Sequence, residues 1–373
     1  MILAIDAHNL RAGGGVTHLT SLLRHAEAAH DFGRIHVFLA RDAGDRLAAE
    51  VPPKVEIVRE PLLDGALPSR AWWHRVVLRR RLDAIGADVL FSPGGLLPPS
   101  WPNRTTAITM CRNMLPFQAE ETERYGLSPR RLRLAMLKRM QLASFQRADA
   151  VIFVSTFART RIEALTGPLR RAEIIPHGIH DAFRPLPGVA RSAGEILYVS
   201  TVDLYKHQWH VVEALARLRS RGHEGLRLRI VGSAYPPALK RLQAAIREHE
   251  LEAHVTVSGE VPHAELPRLY AASTVAVFAS SCENCPNALL EAMATGTPIV
   301  CSDRPPMPEF AGDAVEYCNP ESPESMATAI ARLLTTPVAA ERLGQQAMKR
   351  ADQYRWRESA QATFALLAGM ARS

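Results

Sequence analysis

Residues 274–302 constrain the fold more than any other part of the chain. The stretch opens with an apolar, β-branched run at residues 274–278, passes through a loop that holds Glu283, and continues with a helical pattern between Pro286 and Gly296. Proline in the first helical turn and glycine just past the last turn are the expected asymmetry of helix ends. A short apolar run follows at residues 298–301. The stretch therefore predicts a strand, a loop, a helix and a second strand, with one carboxylate in the loop and another, Glu291, in the helix.

The start of this helix predicts an anion-binding site. Backbone N–H groups of a first helical turn lack intrahelical partners, so the amides of Asn287, Ala288 and Leu289 are expected to be free for an anion such as a diphosphate. Carboxylates on either side of such a site could accept hydrogen bonds from sugar hydroxyl groups. The spacing of Glu283 and Glu291 alone is a weak signal, because a solvated helix glutamate and a loop glutamate would give the same pattern.

The rest of the chain alternates between apolar runs and helical patterns. Such alternation predicts parallel sheets covered by helices on both faces, with ligands at the carboxyl ends of the strands. A chain of 373 residues suits two domains. The proline- and glycine-rich residues 184–194 predict the linker between a domain at residues 1–183 and a domain at residues 195–355. Residues 356–373 predict a terminal helix.

The full string from Glu283 to Pro298 resembles the donor-site signature of the retaining family-4 glycosyltransferases of the GT-B fold. Two further stretches, at residues 148–155 and 173–180, are similar to other segments of that family. Asn284 and Cys285 stand where the family usually has glycine and phenylalanine. The matching residues are Glu283, Glu291, Ala292, Met293, Ala294, Gly296 and Pro298.

The resemblance implies an α/β protein of GT-B type, with two Rossmann-like domains facing a central cleft and a terminal helix that packs back on the first domain. It implies retaining transfer of a hexose from a UDP- or GDP-sugar to a glycan or lipid-linked acceptor, in the assembly of bacterial surface polysaccharide. The nucleotide-sugar is a co-substrate, and neither a metal nor another cofactor is expected.

The resemblance also assigns roles in the second domain. Lys206 is expected to neutralise the donor diphosphate, although Ser200 and Thr201 replace the glycine and arginine usual before it. Glu283 is expected to face the sugar, and Gly232 to lie where the base stacks. Glu291 and the amides of residues 287–289 complete the predicted donor site. A solvated lysine at a helix start is the plainer alternative for Lys206.

Two features of the first domain receive roles in the same way. Gly14 and Gly15 belong to a glycine loop, residues 11–16, that faces the donor phosphates in the family; a flexible turn is the alternative. Arg112 stands where family members often carry histidine. An arginine stays charged and cannot act as a base, but it could steady a phosphate or the departing charge. A solvated loop arginine is the alternative for Arg112.

The positive charge lies in the first half. Residues 1–183 hold 25 Lys+Arg and 18 Asp+Glu, a net charge of +7. Residues 184–373 hold the remaining 20 Lys+Arg (45 − 25) and 20 Asp+Glu (38 − 18), so their net charge is zero. This excess predicts an anionic partner. Residues 124–147 carry seven basic and no acidic residues, with Leu132, Met136 and Met140 at helical spacing. Together with an Arg- and Trp-rich helix at residues 67–85, they predict binding to an anionic membrane, with a solvated surface helix as an equal alternative.

The predicted localisation is based on two features that were not found in the sequence, a membrane-spanning run and a signal peptide. No apolar run approaches the roughly 20 residues that span a bilayer, and the first residues read as a strand rather than a signal peptide. The five cysteines suggest buried thiols. A cytoplasmic enzyme, peripheral on the inner face of the membrane, is expected. The alternatives are a GT-B epimerase and a non-catalytic basic protein for membrane or nucleic acid; the donor signature disfavours a nucleic-acid partner.

Overall fold

The computed structural model describes residues 1–10 and 14–371, and its contacts divide the chain into two compact units. Unit 1 comprises Met1–Phe117, Leu132–Gly178 and Arg355–Ser373. Unit 2 comprises Gln118–Arg131 and Ile179–Tyr354.

Unit 1 is built on a parallel sheet of seven strands in the order β3-β2-β1-β4-β5-β6-β7. The chain moves outward from β1 to β3 and then returns to the other side of β1, so strand order reverses between β1 and β4. Ligands of open parallel sheets bind at the carboxyl ends of the strands beside such a reversal. The strands are β1 (Ile2–Asp6), β2 (Arg34–Leu39), β3 (Val55–Arg59), β4 (Val89–Ser92), β5 (Thr106–Cys111), β6 (Ala150–Phe153) and β7 (Ala172–Ile174).

Helices cover both faces of this sheet, as the buried, apolar central strands require. The terminal helix α16 belongs to unit 1, where the Trp356 ring stacks on His177 at a centroid distance of 5.7 Å. The helices are α1 (Gly14–Arg24), α2 (Arg41–Ala48), α3 (Pro61–Asp64), α4 (Leu67–Trp72), α5 (Leu78–Ile85), α7 (Pro129–Arg147), which begins in unit 2, α8 (Thr156–Thr166) and α16 (Trp356–Ala371).

The Arg- and Trp-rich helix is not regular. A π-helical turn, Trp73–Val77, separates α4 from α5, and the Leu78 N–H donates to the Trp73 carbonyl across it. Trp73 is fully buried against Phe38, with ring centroids 5.6 Å apart, whereas Trp72 is exposed. A π turn adds one residue to the turn and so redirects the side chains beside it.

Unit 2 is built on a parallel sheet of six strands in the order β10-β9-β8-β11-β12-β13. Strand order here reverses between β8 and β11. The predicted strand, helix and strand over residues 274–302 are confirmed as β11, α12 and β12. The strands are β8 (Glu195–Val199), β9 (Arg227–Val231), β10 (Val255–Val257), β11 (Val275–Phe278), β12 (Ile299–Ser302) and β13 (Glu316–Cys318).

Two apolar clusters, one with α9, α10 and α14 and the other with α11, α12 and α13, form the core of unit 2. Short 3-10 turns are present at Ala26–Ala28, Leu115–Phe117 and His263–Glu265. The helices of unit 2 are α6 (Ala119–Glu123), α9 (Gln208–Ser220), α10 (Pro236–Glu248), α11 (Leu266–Ala272), α12 (Asn287–Ala294), α13 (Met307–Ala311), α14 (Pro323–Thr335) and α15 (Pro337–Ala351).

Gln118–Arg131 departs from the domain boundaries expected from the sequence. The segment was expected in the first domain, but it clusters with unit 2 because its side chains bind there. The Tyr125 hydroxyl donates to Asp203 Oδ1 at 2.8 Å, and Arg130 Nη2 lies 2.6 Å from Asp203 Oδ2. Residues 184–194 also belong to unit 2 and are tied to it by a bond from the Ser192 N–H to the Ala272 carbonyl.

The expectation of one basic helix over residues 124–147 is wrong for its first part. Arg124 lies between α6 and α7, where it binds Glu121 and Glu321, and Arg130 is paired with Asp203. The remaining stripe of Leu132, Met136 and Met140 is exposed on α7. Among the helices described here, none combines the length and the apolar character needed to cross a bilayer.

Candidate active site

The loops after β8 and β11 meet at the point where strand order reverses in unit 2. Each follows the carboxyl end of its strand, and β8 and β11 are hydrogen-bonded neighbours. The Ser281 N–H donates to the Tyr205 carbonyl at 2.9 Å, and His207 Nε2 lies 2.9 Å from the Ser281 hydroxyl. These bonds lock one loop against the other. Residues far apart in the sequence therefore share one rigid site.

Lys206 and Glu283 come together in this site. The Lys206 ammonium forms a short ion pair with Glu283 Oε1, and both side chains are largely buried, at 10% and 15% exposure. Tyr198 fixes the backbone of the lysine, because its hydroxyl donates to the Lys206 carbonyl at 2.6 Å. Two opposite charges taken out of water stabilise each other as long as both are present. The pair therefore holds a buried ammonium at the carboxyl edge of the unit 2 sheet.

Helix α12 begins beside this pair, but the expectation of three free amides is wrong. The Asn287 N–H donates to the Cys285 carbonyl at 3.0 Å, and the Leu289 N–H donates to the Pro286 carbonyl at 2.9 Å. A tight turn at Pro286 uses these donors locally. Of the three amides, only that of Ala288 has no backbone partner in the part of the chain that the structure describes. The start of α12 therefore offers fewer free donors to an anion than the sequence predicted.

Glu291 lies farther along α12 and already has a partner. Its Oε1 lies 3.0 Å from His263 Nε2, and its side chain is 14% exposed. Burial raises the pKa of Glu291, whereas the bond to His263 lowers it. The same hydrogen bond raises the pKa of His263, against the opposing effect of burial. No sequence pattern pointed to His263, which precedes Glu291 by 28 positions.

Gly232 lies where β9 ends, close to the loop that carries Lys206. Its φ of 141° is unfavourable for other residues, and a Cβ there would lie 2.3 Å from the Ser200 carbonyl oxygen. Glycine is therefore required for the close approach of two backbones. Whether a nucleobase stacks on it remains a prediction.

Gly232→Ala should destabilise the protein by about 1–3 kcal/mol, since both φ and the Ser200 carbonyl oppose a Cβ. Gly225→Ala is the matched control, because its Cβ would meet nothing within 4 Å and its φ is not in the left-handed region. Urea unfolding of both variants measures the difference. Equal unfolding midpoints would show that the loop can move away at little cost.

A clamp around Asp203 holds the loop that carries Lys206. Asp203 is 3% exposed and is bound by Tyr125 and Arg130 from the segment Gln118–Arg131. The Arg130 guanidinium lies between the Tyr125 and Tyr235 rings, at 4.5 and 4.2 Å from their centroids. Stacking of this kind desolvates the guanidinium and favours its pairing with a buried carboxylate. No local sequence pattern indicates this clamp, because 73 positions separate Arg130 from Asp203.

Unit 1 brings Arg112 to Gly14 and Gly15. Arg112 Nε donates to the Pro93 carbonyl at 2.8 Å, and Nη1 lies 3.4 Å from the Gly14 carbonyl oxygen. A Cβ on Gly15 would lie 3.2 Å from Arg112 Nη2. Burial lowers the pKa of Arg112 to about 10, so the side chain stays charged at neutral pH. Residues 11–13 of the predicted glycine loop lie outside the described residues.

Two family models match the chain, one to each half. Residues 12–183 match the model described as Glycosyltransferase Family 4, and residues 187–350 match the model described as Glycosyl transferases group 1. Both matches follow the resemblance predicted from the sequence, which is thereby confirmed.

Three relatives illustrate the similarity. A glycogen synthase of Mycobacterium tuberculosis is 31% identical over 58% of this chain and 53% of its own length. A GDP-mannose-dependent α-(1-6)-phosphatidylinositol monomannoside mannosyltransferase of Mycolicibacterium smegmatis is 29% identical over 60% of this chain and 63% of its own length. The Anabaena protein HepE, solved with UDP-glucose, superposes with a TM-score of 0.74 at 18% identity over 98% of each chain.

The aligned regions span less than two thirds of both curated relatives. The structural likeness, at low identity, shows the fold. It confirms the GT-B prediction, with parallel sheets of seven and six strands and interleaved helices.

Proposed function

From the premise that this chain belongs to the group 1 (family 4) glycosyltransferases of the GT-B fold, we propose that it transfers a hexose, with retention of configuration, from a UDP- or GDP-sugar to a glycan or lipid-linked acceptor. One observation carries the proposal. The buried Lys206 ammonium and the Glu283 carboxylate meet where strand order reverses in unit 2. This is the position at which an open parallel sheet binds its ligand.

The proposed role of Lys206 follows from the negative charge that develops on the departing diphosphate. When the bond between the sugar and the diphosphate breaks, its electron pair remains on a phosphate oxygen. A preorganised cation that contacts this oxygen stabilises the transition state more than the ground state. Lys206 supplies that cation and the Ala288 amide one further donor, so we propose that the diphosphate departs without a metal. Displacement of Lys206 toward the phosphate frees Glu283 to accept a hydrogen bond from the sugar.

The remaining predicted residues extend this site. Glu291 is proposed to bind the ribose hydroxyls, with His263 orienting its carboxylate, and Gly232 to border the base. Arg112, Gly14 and Gly15, which lie together in unit 1, are proposed to bind phosphate. The mannosyltransferase is named as GDP-mannose-dependent and HepE was solved with UDP-glucose, which supports a nucleotide-linked hexose as donor. Assembly of a bacterial surface polysaccharide is the proposed context.

A thermal-shift panel tests the donor. UDP- and GDP-linked hexoses are compared with the free nucleotides and the free sugars, and a ligand at 100 times its Kd should add about 2.7 kcal/mol to the free energy of unfolding. Nucleotide-sugars that carry one particular base should raise the melting temperature of the wild type, and should raise that of Glu291→Ala by less. The donor proposal fails if no nucleotide-sugar shifts the wild type, or if free sugars shift it equally.

We also propose that α7 holds the enzyme, on the cytoplasmic side, against an anionic membrane. The exposed stripe of Leu132, Met136 and Met140 supports this, since contiguous exposed apolar residues mark interaction surfaces. Arg133, Lys138 and Arg139 lie on the same helix and form no ion pair within the described residues. Apolar residues flanked by cations suit the headgroup region of a bilayer.

Replacing Arg133, Lys138 and Arg139 together with glutamine should weaken binding to anionic vesicles on the order of a hundredfold, at about 1 kcal/mol per cation. The matched control replaces Lys240, Arg247 and Arg268, exposed cations of unit 2, and removes the same charge. Sedimentation with vesicles of phosphatidylcholine, with and without phosphatidylserine, across a salt series measures both. Equal losses, or no binding of the wild type at low salt, would leave a soluble acceptor as the better account.

A further inference from the structure

Three potential metal ligands converge in unit 1, away from the Lys206 site. Asp6, His8 and His74 each direct one ligand atom into a common space, and these atoms lie within 4.8 Å of one another. The Asp6 side chain is fully buried, and those of His8 and His74 are 10% and 12% exposed. Asp6 is the last residue of β1, beside the reversal of strand order between β1 and β4. The cluster therefore occupies the ligand position of this sheet.

A π-helical turn positions His74 beside the other two residues. The π-helical turn Trp73–Val77 starts immediately before it, and Trp73 is anchored in the core against Phe38. The His74 ring then lies against His8, with centroids 4.2 Å apart. Single π turns within helices are rare and are frequent at functional sites. Because His74 is far from Asp6 and His8 in sequence, no spacing pattern revealed the cluster.

The hydrogen bonds leave one nitrogen unused. His8 Nδ1 lies 2.8 Å from Asp6 Oδ2, and the His8 N–H donates to Oδ1 of the same carboxylate at 3.2 Å. His74 Nε2 is buried and has no hydrogen-bond partner among the residues described. It lies 3.7 Å from Asp6 Oδ2, too far for a hydrogen bond. A buried nitrogen without a partner costs free energy unless something else binds it.

The distances between the ligand atoms are close to the edge lengths of a tetrahedral metal site. Ligand atoms bound at about 2.0–2.2 Å to tetrahedral zinc lie about 3.3–3.6 Å apart. The observed separations from Asp6 Oδ2, 2.8 Å to His8 and 3.7 Å to His74, bracket that range. We propose that Asp6, His8 and His74 bind a divalent transition metal of the Zn²⁺ type, with a fourth position left for water or another oxygen ligand.

The surroundings of His74 also fit this assignment. A hydrogen bond with the Leu96 backbone acts on its ring. Metal-ligating histidines usually use their second nitrogen in such a bond, which fixes the ring orientation. Two imidazoles and one carboxylate are a common ligand set for zinc and for iron(II).

The assignment is independent of the proposed function. It concerns unit 1, whereas departure of the diphosphate is assigned to Lys206 in unit 2 without a metal. The metal would join the end of β1 to the turn between α4 and α5. It would thereby fix the carboxyl edge of the unit 1 sheet.

Co²⁺ titration of the EDTA-treated full-length protein tests the site directly, because tetrahedral Co²⁺ gives intense visible absorption bands. We expect one equivalent bound per chain, displaced by Zn²⁺, and a higher melting temperature with Zn²⁺ present. His74→Gln should weaken binding by more than the roughly 10- to 100-fold that loss of an outer-shell partner costs. His8→Gln should do the same, so the test does not depend on one variant folding.

His36→Gln is the matched control, since His36 is a buried histidine of the same unit that pairs with Glu56 at 3.0 Å. It should bind Co²⁺ as the wild type does. The proposal is overturned if the wild type takes up no more metal than His74→Gln and His8→Gln. It is also overturned if His36→Gln loses binding to the same extent, because the ion would then bind histidines in general.

Discussion

Lys206→Ala should lower kcat about 100- to 1,000-fold, as does loss of a positioned donor to a developing negative charge in other enzymes. The lysine is proposed to contact the phosphate oxygen that becomes the leaving group, and the contact strengthens as charge accumulates there. Steady-state kinetics with the donor found by thermal shift measures the effect. Lys240→Ala, an exposed lysine of the same unit, should retain normal kcat.

A second variant separates catalysis from folding. Loss of Lys206 leaves the Glu283 carboxylate buried without its cation, which should lower the melting temperature. Adding Glu283→Gln removes that charge and should restore much of the melting temperature without restoring kcat. If the double variant turns over as fast as Glu283→Gln alone, Lys206 has a structural role, and the leaving-group assignment is wrong.

Glu291→Ala should weaken the binding of the free nucleoside diphosphate about 10- to 100-fold, since hydrogen bonds to a charged group contribute about 1.5–3 kcal/mol. Glu283→Ala should instead leave nucleotide affinity nearly unchanged and reduce kcat. The two effects differ because the two carboxylates lie in different places. Glu283 lies in the loop before α12 and pairs with Lys206, whereas Glu291 lies within α12 and pairs with His263. Calorimetric titration of UDP and GDP against both variants measures it.

Two further variants complete this test. Glu260→Ala, at an exposed glutamate of unit 2, should bind nucleotide as the wild type does. His263→Ala removes the partner of Glu291 and should weaken binding less than loss of the carboxylate itself. If Glu291→Ala binds both nucleotides as tightly as the wild type, the ribose assignment is wrong.

The sequence predicted well what depends on neighbouring residues. The periodicity and end signals around Pro286 and Gly296 predicted α12, and alternation of strands and helices predicted parallel sheets. The family resemblance placed Lys206 and Glu283 in one donor site, but it did not predict that they form an ion pair. These residues are 77 positions apart and meet because β8 and β11 are adjacent in the sheet. Strand order cannot be read from local pattern.

The failures have a common physical origin. Residues 124–147 have the composition of one basic helix, yet Arg124 and Arg130 bind carboxylates of unit 2. Composition does not reveal which buried anion a cation will find. The amides of Asn287 and Leu289 were expected to be free, but the local turn at Pro286 already uses them. His74 enters its cluster through a π turn that departs from regular helical periodicity.

Product analysis tests the central claim most directly. The purified protein is incubated with its preferred nucleotide-sugar and with octyl glucoside or octyl mannoside as a minimal lipid-linked acceptor, and products are identified by mass spectrometry, with NMR of the new anomeric centre. Sugar transfer, with one nucleoside diphosphate released per new glycosidic bond and the donor's anomeric configuration retained, is the predicted result. Free or isomerised sugar formed equally without acceptor would indicate an epimerase, and nucleotide-sugar bound without turnover would indicate a binding protein; either would contradict the account.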